Sequence, residues 1–322
     1  VRSAARILSL AAGLFLALAG AARGQNGTSS AFPGPTAIPA GSPVEAPHAL
    51  VPFIPQSPAR EGELLAAPRG WDWQVLPEGL VYPGYLAGQK ESRMASVFNH
   101  DSHLGWIWDI TLGGRAALLR YGTPGPYRPE GWELGIEGAA FPRLDLEHDR
   151  DLMSADFRVG IPLTFASGRW QFKFAGYHLS SHLGDEFMIR FPDYPRINYS
   201  RDALILGTGY YLTENLRLYG EAEWAYYDDG GSQPWAFQFG VDYSPLRVMG
   251  HWGGAPFFAL NGQVRQELDY EGSFTAQAGW QWRGPTNRLL RMGAQYFVGK
   301  SDQYEVFQTH EEKIGLGLWY DF

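Results

Sequence analysis

In the stretch "YHLSSHLGDEF", residues 177 to 187, two histidines, two serines and two carboxylates fall within eleven positions of a chain otherwise rich in glycine, aromatic and aliphatic residues. His178 and Ser180 are two apart, so on an extended strand their side chains point the same way and are neighbours. A serine hydroxyl becomes a useful nucleophile when an adjacent imidazole can take its proton and a third group orients that imidazole. Asp202 stands where the next strand should begin, on the parity of Leu204 and Leu206, and is the candidate third member, with Asn198 and Ser200 as substitutes. The chemistry such a constellation offers is ester cleavage. The competing reading is a solvated rim, because a second His-x-Ser occurs at His100 and Ser102 in "FNHDSHLG".

Two metal readings are weaker. His178, His182, Asp185 and Glu186 lie close in sequence, but positions four apart on a strand are separated by roughly 13 Å. Metal ligands must converge to about 2 Å from one ion, so only a sharp curl at Gly184 would bring these together. The segment "DLEHDRD" offers Asp145, Glu147, Asp149 and Asp151 to calcium, yet acidic loops are usually just hydrated. The expectation is no metal site, and no cofactor is implied.

Positioning the histidine and serine falls to segments of about ten residues that alternate in polarity and are separated by turn chemistry, the signature of a transmembrane β-barrel. In "RWQFKFAGYHLS" Gln171 and Lys173 share one face and Phe172 and Phe174 the other. His178 and Ser180 continue the phenylalanine face, assigned to lipid. In "NLRLYGEAEWAYY" Arg217, Glu221 and Glu223 oppose Leu216, Leu218, Ala222 and Trp224, and in "GSFTAQAGWQWR" Gln277 and Gln281 oppose Ala276, Ala278, Trp280 and Trp282. Gln171, Lys173, Arg217, Glu221, Glu223, Gln277 and Gln281 are therefore candidate lumen residues.

About twelve such runs are countable: near 91–99, 105–121, 131–141, 152–165, 168–181, 199–212, 215–227, 233–243, 256–267, 272–283, 288–299 and 311–322. Tight connections ("TEN", "GPTN") and long ones ("SHLGDEFMIRFPDYPRIN", "SDQYEVFQTH") should lie at opposite ends. Trp and Tyr clusters near strand ends ("GWIWD", "EWAYYDD", "GWQWRG", "LWYDF") suit the headgroup level. A soluble β-sandwich is the rival architecture. The closing strand speaks against it: Ile314, Leu316, Leu318, Tyr320 and Phe322 alternate to the last residue. This resembles the C-terminal signal by which bacterial outer-membrane barrels are handed to their insertion machinery.

The remaining sequence sets location. Residues 1–24 read as an export signal, with Arg2 and Arg6 ahead of an apolar run and small residues near its end. Residues 25–70 are rich in Pro, Ala and Ser, lack either period, and read as a disordered tether. "WDWQVLPEGLVYPGYLAG" follows as an irregular lead-in of about 71–90 to a barrel domain of 71–322. The chain has no cysteine, which removes disulfides and an acylation site at the cleavage junction. A net charge of −8 without a basic stripe excludes a nucleic-acid binder. The expected location is the bacterial outer membrane, and the expected partners are its lipids and the insertion machinery.

His178 and Ser180 on an outward face resemble the His-x-Ser motif of the outer-membrane phospholipase and lipid A deacylase families. That likeness implies hydrolysis of ester lipids in the outer leaflet. Those families follow the serine with Asn, whereas Ser181 and His182 follow here. Across its length, from about Leu76 to Phe322, the chain resembles the bacterial domain-of-unknown-function family 1207. The matching pieces include "YLAGQKESRM", "LGGRAALLRYG", "SADFRVGIPLTF", "YHLSSHLGDEF", "LYGEAEWAYY", "GWQWRGP" and "GKSDQYEVFQTHEEKIGLGLWYDF". This second resemblance implies an exported, membrane-embedded protein and no particular activity. Small-solute passage or a structural membrane role is the leading functional expectation, with a lipid esterase as the alternative.

Overall fold

Alternation of polar and apolar side chains closes the chain into an antiparallel barrel of twelve strands. The computed structural model describes residues 70–249 and 253–322, which fall within one compact unit. The export signal at 1–24 and the tether at 25–70, apart from Gly70, lie outside the described residues.

A short strand β1 (Asp72–Val75) precedes the barrel strands β2 (Met94–Asp101), β3 (Gly105–Gly122), β4 (Gly131–Asp145), β5 (Asp151–Ser167), β6 (Trp170–Leu183), β7 (Ser200–Tyr211), β8 (Leu216–Asp229), β9 (Trp235–Tyr243), β10 (Ala255–Arg265), β11 (Gly272–Arg283), β12 (Leu289–Lys300) and β13 (His310–Asp321). Each barrel strand pairs with its sequence neighbour, and β13 closes on β2 with Leu316 opposite Phe98. The twelve runs read from the sequence coincide with β2–β13 apart from a few residues at their ends. Among the described residues helix is almost confined to α1 (Asp185–Arg190), between β6 and β7.

Parity decides the two surfaces. On β6, Gln171, Lys173, Tyr177, Leu179 and Ser181 are buried, while Trp170, Phe172 and Phe174 are exposed. Outward Leu206, Phe239, Ile314 and Leu316 extend the same apolar wall. Aromatic pairs mark both rims. Trp73 meets Tyr121, Trp132 meets Phe165 and Trp170 meets Tyr210 at the end carrying the barrel's termini. Phe98 stacks on Trp108, and Trp235 on Phe237, at the other end. Such girdles suit two membrane interfaces. The quoted tight turns do lie at the termini end and the quoted long loops opposite, but lengths overlap. The connections 123–130 and 244–254 share the end of the tight turns, whereas 102–104 lies among the long loops. Loop length alone is therefore a weaker guide than strand parity.

The lead-in departs from expectation. β1 pairs with Leu119–Gly122, the part of the β3 edge left free beyond Leu112, where pairing with β2 stops. A left-handed turn at Gly79 (φ +71), where a Cβ would lie 2.2 Å from the Pro126 carbonyl oxygen, then sends residues 80–93 into the lumen. Tyr85 is buried there, stacked 3.8 Å from Tyr219 and donating its hydroxyl to Glu221 at 2.8 Å. The backbone of this plug is satisfied by barrel side chains. Gln171 donates to the Val81 carbonyl at 2.7 Å, Arg217 to those of Pro83 and Gly84 at 2.9 and 2.8 Å, and Asp242 accepts the Leu86 amide at 3.1 Å. Irregular backbone tolerates burial only with such partners.

From the opposite end the connection 301–309 folds inward as a lid. Asp302 takes Lys313 at 2.6 Å and Arg143 at 2.8 Å, while Glu305 accepts the backbone amides of Ile197, Asn198 and Tyr199. Plug and lid meet at Asp156, which pairs with Lys90 at 2.6 Å and accepts the Tyr304 amide at 3.3 Å.

Candidate active site on the barrel wall

β6 and β7 pair with His178 directly opposite Asp202 and Ser180 directly opposite Ser200. Even-numbered residues of both strands face outward, so all four side chains share the lipid-facing surface near the loop end. His178 Nδ1 lies 2.7 Å from Asp202 Oδ1. With the Asp202 carboxylate accepting, Nδ1–H is the donor of that hydrogen bond, and Nε2 takes no part in it. Side-chain exposure is 37% for His178 and 19% for Asp202, so the pair sits half-sheltered in the wall.

Ser180 is two residues along the same face. It makes no hydrogen bond to His178 in this resting state, where the imidazole is drawn towards β7. Catalytic hydrogen bonds are often long before substrate arrives. Asn198 lies before β7 with its backbone amide on Glu305, so of the possible third groups it is Asp202 that reaches the imidazole.

Across the sheet from the pair, the wall dips. On β5, Phe157 lies opposite Ser180 and Val159 opposite His178, and on β4, Ala140 and Gly138 continue those two rows. Small residues at 138 and 140 leave a groove of about 310 Å³ bounded by Leu112, Phe157 and Val159 and reaching His178. Sequence reading missed this groove, because its members come from β3, β4, β5 and β6 and only the register brings them into one row.

The second His-x-Ser has no acid. His100 stands edge-on to Trp106 at 5.2 Å, and Ser102 sits in a turn with its amide on the Glu312 carbonyl. Among the described residues no group of three His, Asp or Glu side chains converges as a metal site would. His178 and His182 stay on an extended strand, and in the acidic loop Arg190 of α1 bridges Asp145 (3.1 Å) and Asp151. Asp145 also holds His148 at 2.8 Å, and Glu147 accepts the Trp106 amide at 3.1 Å, so these three carboxylates have partners within the protein.

Gln171, Lys173, Arg217, Glu221, Glu223, Gln277 and Gln281 all point into the lumen and are buried there. Their partners are internal: Lys173 pairs with Glu221, Glu223 accepts from Tyr177, and Gln277 donates to Gln295 at 2.8 Å. Leu318 faces outward, and the Phe322 ring packs over Gly114, on the part of β3 that neither β2 nor β1 covers.

A family model described as "Protein of unknown function (DUF1207)" matches residues 74–322. The chain belongs to this family. The match takes in all of the DUF1207 barrel and plug. No curated protein matches the chain. Among solved structures, outer membrane phospholipase A from Escherichia coli is similar at 12% identity, covering 74% of this chain and 92% of that one with a TM-score of 0.48. The Salmonella typhi outer membrane phospholipase dimer with bound calcium is similar at 11% identity, covering 74% and 92% with a TM-score of 0.49. The KdgM porin is similar at 8% identity, covering 71% and 99% with a TM-score of 0.40. The antiparallel barrel of the DUF1207 chain rests on its own strand pairing, and no role is carried over from these likenesses.

Proposed function

We propose that this chain is a lipid ester hydrolase of the bacterial outer membrane that works from its outer wall, with Ser180 as nucleophile, His178 as general base and Asp202 as the group that orients His178. The observation that carries this reading is the His178 Nδ1–Asp202 Oδ1 hydrogen bond of 2.7 Å on a lipid-facing surface. A carboxylate and an imidazole are costly to place against hydrocarbon, and their position at the head of an apolar groove gives them a use. A rotation of Ser180 about χ1 presents Oγ to Nε2. Oγ then attacks the ester carbonyl while its proton passes to Nε2. The ester C–O bond breaks, the alcohol leaves with that proton, and water resolves the acyl-enzyme by the reverse relay. The groove floored by Gly138 and Ala140 accommodates the acyl chain.

The test is fatty-acid release from phospholipid or lipid A in mixed detergent micelles. Wild type releases fatty acid and Ser180→Ala is slower by about 10³-fold or more. Equal turnover in the two proteins would remove Ser180 from the mechanism. Solute passage through the lumen, the other reading, requires the plug and the lid to leave first.

A further inference from the structure

At the termini end the turn 123–130 folds across the barrel mouth, held by the Tyr127 hydroxyl donating to the Gly284 carbonyl at 3.2 Å. Beneath it lies a cavity of about 80 Å³ whose walls include Arg128, Arg217, Ser244 and Arg283 together with the carboxylates of Asp242 and Asp321. Arg217 is paired with Asp242 at 2.7 Å. Arg128 and Arg283 are not: among the described residues neither forms an ion pair with a carboxylate. The Arg128 guanidinium lies 4.0 Å over the Tyr211 ring. The Arg283 guanidinium donates to Ser244 at 2.7 Å and to the Asn287 side chain, and its buried Nε–H has no acceptor.

This contrasts with the rest of the interior. Arg115, Arg120, Arg143, Arg158 and Arg291 each meet a carboxylate. Burying a guanidinium without a counter-charge is costly, and burial pushes Arg128, in its turn outside the strands, below its ordinary value. Two cations without an ion pair and an orphaned donor share one chamber with Asp242 and Asp321, which Arg217 and Arg291 already hold.

We infer that this chamber binds a phosphate-sized oxyanion, between the guanidinium forks of Arg128 and Arg283 and the Ser244 hydroxyl. Guanidinium forks match the oxygens of phosphate in pairs. The volume admits a tetrahedral anion. Inorganic phosphate and a small phosphomonoester share this chemistry, and the site is independent of the wall chemistry at Ser180.

The experiment titrates the purified full chain, in nonionic detergent at constant ionic strength set by chloride, with inorganic phosphate and separately with glycerol 3-phosphate, read by ³¹P line broadening. Saturable binding of phosphate with a Kd of about 1 mM or tighter is expected. Arg128→Gln and Arg283→Gln each weaken it at least about tenfold, the loss of one charge-assisted bond. Arg128 lies outside the strands, so its variant reports binding with the barrel intact, checked by heat-modifiable gel migration. Binding of phosphate alone identifies the free ion, and binding of both probes a phosphomonoester. Absence of saturation at about 10 mM phosphate, or affinity unchanged in both variants, overturns the inference.

Discussion

At the wall site the imidazole is already oriented while the serine is not, and this separates the roles of the three residues. In the proposed mechanism Asp202 acts by holding Nδ1–H, so any acceptor in its place preserves part of the effect. Asp202→Ala is expected to lower fatty-acid release by about 10²- to 10⁴-fold. Asp202→Asn retains more, since its carboxamide oxygen still accepts from Nδ1. Equal losses in the two variants, compared by initial rates, would mean that Asp202 contributes charge or packing and not orientation. A residue-scale test of the lumen is Gly240, whose added Cβ would lie 2.4 Å from the Tyr219 hydroxyl and 2.2 Å from the Leu260 carbonyl oxygen. Gly240→Ala displaces the ring on which Tyr85 stacks and destabilises by about 1–3 kcal/mol, read from the denaturant midpoint in detergent. That His178, Ser180 and Asp202 share one outward face was legible in the sequence, because strand parity is a local property. The preference for His178 over His100 was not, since it rests on a cross-strand partner.

The lid is tied down at the carboxyl of Asp302. Burial raises the Asp302 carboxyl, but Lys313, Arg143 and Lys90 outweigh burial and hold it well below the usual carboxylate range. A carboxyl lowered on folding contributes stability that is fully present above its unfolded value of about 3.9. That contribution fades as pH falls through the lower folded value. The lid is therefore expected to remain shut from neutrality down to about pH 4 and to loosen only below it, as followed by hydrogen exchange at residues 301–309. Increased exchange at about pH 5–6 would contradict this linkage. Asp302→Ala leaves Lys313 and Arg143 to the remaining carboxylates Asp109 and Glu311 and costs on the order of 3 kcal/mol. The lid's sequence, "SDQYEVFQTH", reads only as a long connection between strands. It is buried because the lumen it enters is polar as well.

Taken as a whole molecule, the barrel is a closed wall around a filled interior. Both inserts are tied by ion pairs and by backbone hydrogen bonds to barrel arginines, so protein reconstituted into planar bilayers is expected to carry no steady current. Sustained open steps from the unaltered chain would show that plug and lid leave the lumen together. Strand number, the two surfaces of the wall and the aromatic rims were determined by sequence alone, because a period of two and a turn signal depend only on neighbours along the chain. The plug was not, since "LPEGLVYPGYLAG" has no period, and its burial follows from Gln171, Arg217 and Asp242, which are distant in sequence. The groove beside His178 and the basic chamber under Tyr127 likewise came from register and closure. Tertiary structure alone decided them, because each gathers side chains from strands or turns far apart in the chain, and cross-strand neighbours are fixed only when the sheet shuts on itself.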